Sequence, residues 1–239
     1  MTRRIAIIPA RSGSTRIVDK NIVDFCGRPL LTYGLDAARE SGLFDTIHVS
    51  TDSQRYADVA AAAGYPIDFL RSPEMAANNV SIPDVLRWVL TRYEERGQVF
   101  DEVCLIVATA PLLEAADLIA GQKLLSETDG QHPVLSVASF PAPVERAMLI
   151  DAGNILRFAQ PELRFKHSQE CPPQYFDAGA FAFFTTGQIV DNEEAVYTEY
   201  SPYVLDRHKA TDINESEDLA MAEVLYLGQR ARAKDGASD

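Results

Sequence analysis

RIAIIPARSGSTRIVDKNIVDFCG, residues 4–27, is the stretch from which the fold is read. Its first six residues, Arg4–Pro9, form a short continuous apolar run rich in isoleucine. No polar residue alternates with the apolar ones, so neither face is set aside for water. A strand buried on both faces of a parallel sheet reads this way. Residues 10–27 are a polar loop with two glycines and several charges. Pro29 then sits near the start of a helically spaced run, 30–41, which Gly42 stops.

The same rhythm continues outward. Residues 46–50, 102–107 and 133–139 read as strands, and 52–63, 81–96 and 114–127 as helices. In the 81–96 helix, Val85, Trp88, Val89 and Tyr93 fall on one stripe. Strands alternating with helices of this length imply βαβ units. The expected fold class is therefore α/β, with a Rossmann-like, mainly parallel sheet and helices on both faces. Residues 140–176 break the rhythm with several prolines and no clean period, so they read as an inserted arm. Alternation resumes with strands at 178–184 and 201–205 and a closing helix at 215–232, and residues 233–239 are expected to fray. One domain, 1–239, with an arm at 140–176, is the expected organisation.

Composition narrows the function classes. Among 239 residues, 35 acidic side chains outnumber 22 basic ones, for a formal net charge of −13. That surface repels phosphate backbones and anionic lipids, so neither nucleic acid nor membrane is expected as a partner. An anionic substrate needs a local basic pocket set against the field. Cys26, Cys104 and Cys171 are widely spaced with no metal-ligand pattern, which favours reduced thiols and a cytoplasmic setting.

The first loop carries the chemistry. Residues Ala10, Arg11, Ser12, Gly13 and Ser14 follow the first strand, where inward-facing backbone N–H groups can wrap phosphates. Arg11, Arg16 and Lys20 supply charge for a triphosphate. The loop is neither a Walker A sequence nor GxGxxG. A solvated polar loop stays open as the bland alternative.

The run IIPARSGSTRIVDKNIVDFCGRPLL resembles the opening of the CMP-sugar synthetases that activate nonulosonic acids: the sialic, legionaminic and pseudaminic acid cytidylyltransferases, with CMP-Kdo synthetase more distant. The resemblance extends in order through SGLFDTIHVSTD (41–52), LRSPE (70–74), ATAPL (108–112), QYFDAG (174–179) and DINESED (212–218). ATAPL and YFDAG look most like the pseudaminic acid branch. The resemblance implies CMP transfer from CTP to an acidic nine-carbon sugar, with release of pyrophosphate, by a homodimer joined through the arm. It places Arg11 and Lys20 at the nucleotide phosphates and Ser14 and Asn21 in the same pocket, with Arg71 near the nucleotide. Asp177 and Gly179 fall where the sugar should bind, with Lys166 and Gln169 in the polar patch before them. Lys166 is the expected cation for the sugar carboxylate. Asp212 falls on the metal position, expected at the end of a strand before the last helix, with Asn214 as a second oxygen donor. Magnesium or manganese is the implied cofactor, and Arg11, Lys20 and Asp212 form the implied catalytic set. Read without the resemblance, Asp212 is a helix cap.

The loop also departs from the family pattern, which usually reads ARGGSKRIPRKN. Ser12 replaces a glycine, Thr15 a lysine, Val18 a proline and Asp19 an arginine. The expectation is a thinned cation set with one new anion beside the triphosphate. Asn214 stands where many relatives have aspartate, and Val107 where some sialic acid enzymes have glutamine. Two alternatives stay open: a sugar nucleotidyltransferase using another nucleotide or sugar, and a diverged non-catalytic nucleotide-binding paralogue.

Overall fold

The structure is a computed structural model that describes residues 2–191 and 199–236. A six-stranded sheet forms its centre. The strands are β1 (Arg4–Pro9), β4 (Thr46–Ser50), β5 (Glu102–Ile106), β6 (Val134–Ser139), β9 (Tyr175–Thr185) and β10 (Ser201–Val204), in the order β10-β6-β9-β5-β1-β4. Two short pairs lie outside it: β2 (Asp24–Phe25) with β3 (Arg28–Pro29), and β7 (Met148–Ile150) with β8 (Leu156–Phe158). β1 is parallel to β4 and β5, and β10 is parallel to β6.

The unbroken apolar run of β1 is explained by burial on both faces. Ala6 and Ile8 enter a cluster with Leu31 and Leu35 of α1 (Leu31–Ser41), Tyr56 and Ala60 of α2 (Gln54–Ala62), and Leu118 and Leu125 of α4 (Ala115–Glu127). Ile5 and Ile7 point the other way. They pack with Val85, Leu86, Val89 and Tyr93 of α3 (Ile82–Glu94) and Ile189 of the short α5 (Thr186–Val190). Each fully buried isoleucine contributes about 1.5–3 kcal/mol. Helices thus cover both faces, as expected. Ser81 caps α3 with a reciprocal Ser81–Asp84 box.

Two expectations need correcting. Residues 178–184 are expected to resume the parallel alternation, yet β9 starts three residues earlier and runs antiparallel to both β5 and β6. The arm contains no crossover helix, so the chain returns beside the strand it left, and that return is antiparallel. The last helix, α6 (Ser216–Gly236), continues past 232, so fraying does not begin at 233. Residues 237–239 lie outside the described residues.

β9 also carries a large irregularity. Leu135 pairs with Ala182 but Val137 pairs with Asp177, so two steps on β6 match five on β9. Gly179 lies within it at φ +60, a left-handed conformation that glycine adopts without a Cβ penalty. A third cluster ties the first loop to α6. Phe25, Tyr33 and Tyr226 meet edge to face at 5.0–5.4 Å, with Ile213 fully buried beside them. Among the described residues no helix is long and apolar enough to cross a membrane.

Candidate active site

β1 has β4 on one side and β5 on the other, and the chain visits β4 first. The carboxyl ends of β1 and β5 therefore border a topological switch point, where open α/β sheets bind ligands. A cavity of about 350 Å³ opens there. Pro9, Arg11, Gly13, Ser14, Thr15, Arg16, Lys20 and Asn21 line one side. Ala77, Asn78, Val80, Ile82 and Val85 line the other, with Arg71 and Val107–Thr109 also in the wall. Four cations, Arg11, Arg16, Lys20 and Arg71, line this cavity, and among the described residues no carboxylate does. An acidic protein thus holds the local basic pocket that an anionic substrate requires.

Arg71 is nearly buried, at 6% exposure. Its Nε donates to Ser50 Oγ at 3.1 Å and its Nη2 to the Ser50 carbonyl at 2.7 Å. Among the described residues it has no carboxylate partner. Burial pulls its pKa down to about 10, Asp52 opposes that, and the nearby Arg11 adds to it. It remains a cation at neutral pH. Lys20 is likewise lowered, chiefly by burial. Arg11 donates to Asn78 across the cavity. The Asn21 amide donates to the Arg11 carbonyl at 3.1 Å, so Asn21 shapes the loop as well as lining the wall.

Two residues expected at the nucleotide do not line the cavity. Ala10 is fully buried in the core, with its N–H bonded to the Ser50 carbonyl. Ser12 turns away: its N–H and hydroxyl both donate to the Asp52 carboxylate at 2.9 Å. Burial works to raise the Asp52 carboxyl, but these donors outweigh it and hold the group low. Asp19, expected as a new anion beside the triphosphate, does not line the cavity. It sits in the left-handed region and pairs with Arg55, and also accepts from the Tyr56 hydroxyl.

Asp212 lies in the loop after β10, which ends at Val204, and not at a strand end. Nor is it the helix cap: Asp218 accepts from the N–H groups of Asn214 and Glu215 and fills that role. Asp212 Oδ1 instead accepts from the Thr109 hydroxyl at 2.7 Å, and its Oδ2 from Asn214 Nδ2 at 2.7 Å. Thr109 lines the cavity and is the residue that ties Asp212 to it. Within the ATAPL run, nothing but its position after β5 singles it out. Gly179 lies beneath Asp212, since a Cβ there would be 3.0 Å from Asp212 Cβ. Asp177 accepts from the Gly179 N–H at 2.9 Å. Lys166 and Gln169 are on the arm and do not line the cavity.

The family model described as Cytidylyltransferase matches residues 5–229. The chain belongs to this cytidylyltransferase family. It is 31% identical to the pseudaminic acid cytidylyltransferase of Campylobacter jejuni, over 94% of this chain and 96% of that protein. It is 30% identical to the CMP-N,N'-diacetyllegionaminic acid synthase of Legionella pneumophila, covering 96% and 99% respectively. The N-acylneuraminate cytidylyltransferase of Escherichia coli is 29% identical, and the match spans 51% of that longer protein. In fold, the chain is similar to CMP:2-keto-3-deoxy-manno-octonic acid synthetase complexed with CTP, with a TM-score of 0.70, 13% identity, and coverage of 95% and 100%.

The donor set of this cytidylyltransferase bears on the implied divalent ion. Among the described residues no three His, Cys, Asp or Glu side chains gather as a ready-made cage. Asp212 does stand beside the cation-lined cavity, with both oxygens bound by single neutral donors. One carboxylate beside a cation-lined cavity fits magnesium, which keeps waters and takes the phosphate oxygens of a bound nucleotide.

Proposed function

We propose that this cytidylyltransferase transfers CMP from CTP to a nonulosonic acid of the pseudaminic, legionaminic or sialic acid type. Four cations gathered in one cavity by a net-acidic member of this family are the observation that carries the reading. The sugar's anomeric hydroxyl oxygen attacks the α-phosphorus and loses its proton to solvent, the bond from that phosphorus to the β-phosphate oxygen breaks, and pyrophosphate leaves. Arg11, Arg16, Lys20 and Arg71 hold the triphosphate and offset the charge that builds on the leaving group. Asn21 and the Ser12–Asp52 contacts keep the loop in place, so that most of the rate gain is positioning. Asp212 would hold the magnesium or manganese ion, which when bound neutralises phosphate charge. Thr109 and Gly179 set the place of that carboxylate.

The sugar belongs at the Asp177–Gly179 end of the site, with pseudaminic acid the first substrate to try. The chain acts in the cytoplasm as a homodimer. Met148, Leu149, Ile150, Ile155 and Leu156 put apolar side chains on the surface of the arm hairpin, with Phe165 exposed further along the arm. A second copy would cover them and bring the arm residues Lys166 and Gln169 to the sugar end of the partner's site. Pyrophosphate release with CTP, magnesium and a panel of nonulosonic acids tests the reaction. Turnover with one sugar class supports it, and silence across the panel refutes it.

A further inference from the structure

We infer that Asn214 is a positioning residue that holds the loop cations and the Asp212 carboxylate near one another without letting them pair, and that it is not a ligand to the divalent ion. The inference rests on the CTP-dependent transfer proposed above. An asparagine side chain has one oxygen with two lone pairs and one nitrogen with two hydrogens. Here Asn214 Oδ1 accepts from Arg16 Nη2 at 2.8 Å and from Lys20 Nζ at 3.1 Å, so both lone pairs are taken. Its Nδ2 donates to Asp212 Oδ2 at 2.7 Å. The opposite amide orientation would aim N–H groups at two cations and an oxygen at a carboxylate, so the assignment is fixed by charge.

An oxygen holding two cationic donors has nothing left for a metal ion and sits in a positive field. The same contacts explain how the site stays loaded with charge. Lys20 has a second anchor, the Ile213 carbonyl at 2.8 Å, and Asp212 is the strongest nearby charge favouring its protonated form. Without the amide between them, Lys20 and Arg16 would close on Asp212 and form ion pairs. The triphosphate would then have to break those pairs before it could bind. A neutral amide leaves the cations free for phosphate and the carboxylate free for the ion. The backbone of Asn214 is fixed independently through Asp218 at 2.9 Å, so side-chain changes leave the helix cap in place.

The test is calorimetric titration of CTP, in EDTA and again with manganese, for the wild type, Asn214→Ala, Arg16→Ala and the double variant. The expected result is a metal-free CTP dissociation constant raised roughly tenfold by Asn214→Ala. The Arg16→Ala and Asn214→Ala effects should be non-additive by about threefold or more, because both remove one contact. Asn214→Ser, too short to span Arg16, Lys20 and Asp212, should show the same loss and serves if the alanine variant melts early. The inference is overturned if metal-free binding stays within about twofold while only the manganese-dependent gain is lost, as a ligand would behave, or if the two effects simply multiply. Failure of the wild type to bind CTP at all is a distinct result. It refutes cytidylyl transfer, and this inference with it.

Discussion

Burying the Arg71 guanidinium costs free energy that two contacts to Ser50 recover only in part, and its remaining N–H groups find room in the cavity. Arg71→Met should therefore raise the CTP dissociation constant roughly ten- to hundredfold while leaving the melting temperature nearly unchanged, read by calorimetry and thermal unfolding. Gly179→Ala should do the reverse in kind. It places a Cβ 3.0 Å from Asp212 Cβ at a left-handed φ, costing about 1–2 kcal/mol and shifting Asp212, so the metal concentration for half-maximal rate rises more than the KM for CTP. His48 sets a pH limit. It is buried against Phe69 and Tyr93, its Nε2 has no partner among the described residues, and burial lowers its pKa to about 4, with Arg71 and Arg96 adding to that and Asp68 opposing it. Protonation favours the unfolded chain, so this stability is complete above about pH 6.5 and falls as pH drops toward 4, by about 3 kcal/mol in all. His48→Gln should flatten the loss of melting temperature between pH 6.5 and 4. The chemical type of the loop cations is legible in the sequence. The burial of Arg71 is not, because one arginine in LRSPE carries no periodicity; nor are the turning of Ser12 to Asp52 and of Asp19 to Arg55, which are set by residues about 40 positions away.

At the scale of elements, the loop after β10 must hold Asp212 against Thr109, just past the end of β5, and against Gly179 in the irregularity of β9. Lys209 anchors it. Its ammonium meets Glu114 at 2.6 Å and Asp117 at 2.9 Å near the start of α4, and the Tyr203 hydroxyl donates to Asp117 at 2.9 Å. Burial works to lower the Lys209 pKa, but Glu114 and Asp117 outweigh it and raise it. Lys209→Met leaves the buried Asp117 without its counter-ion, a loss of about 3 kcal/mol, measured by denaturant unfolding. In the sheet's parallel part the helices are legible from their helical period, and strands such as β1 from short unbroken apolar runs bounded by polar segments. The direction of β9 is not, since an apolar strand reads alike in either direction and only the absent crossover helix betrays it. The irregularity at Gly179 is hidden for the same reason: its register is a property of two strands.

At the scale of the molecule, a net charge of −13 surrounds a pocket of four cations. CTP binding should weaken as salt rises, because the pocket's attraction for the triphosphate is screened over about 10 Å at 0.1 M ionic strength. Sedimentation should give about twice the 26.3 kDa chain mass, and Leu149→Glu with Ile150→Glu should return it to a single chain with its melting temperature retained. The proposed function makes the cavity at the ends of β1 and β5 a CTP site serving cytidylyl transfer. Titrating the chain with CTP, UTP, ATP and GTP in the presence of magnesium tests it most directly. Saturable binding of CTP is expected, with the other three weaker by about tenfold or more, a difference of about 1.4 kcal/mol. Equal binding of all four nucleotides, or none of CTP, would contradict it.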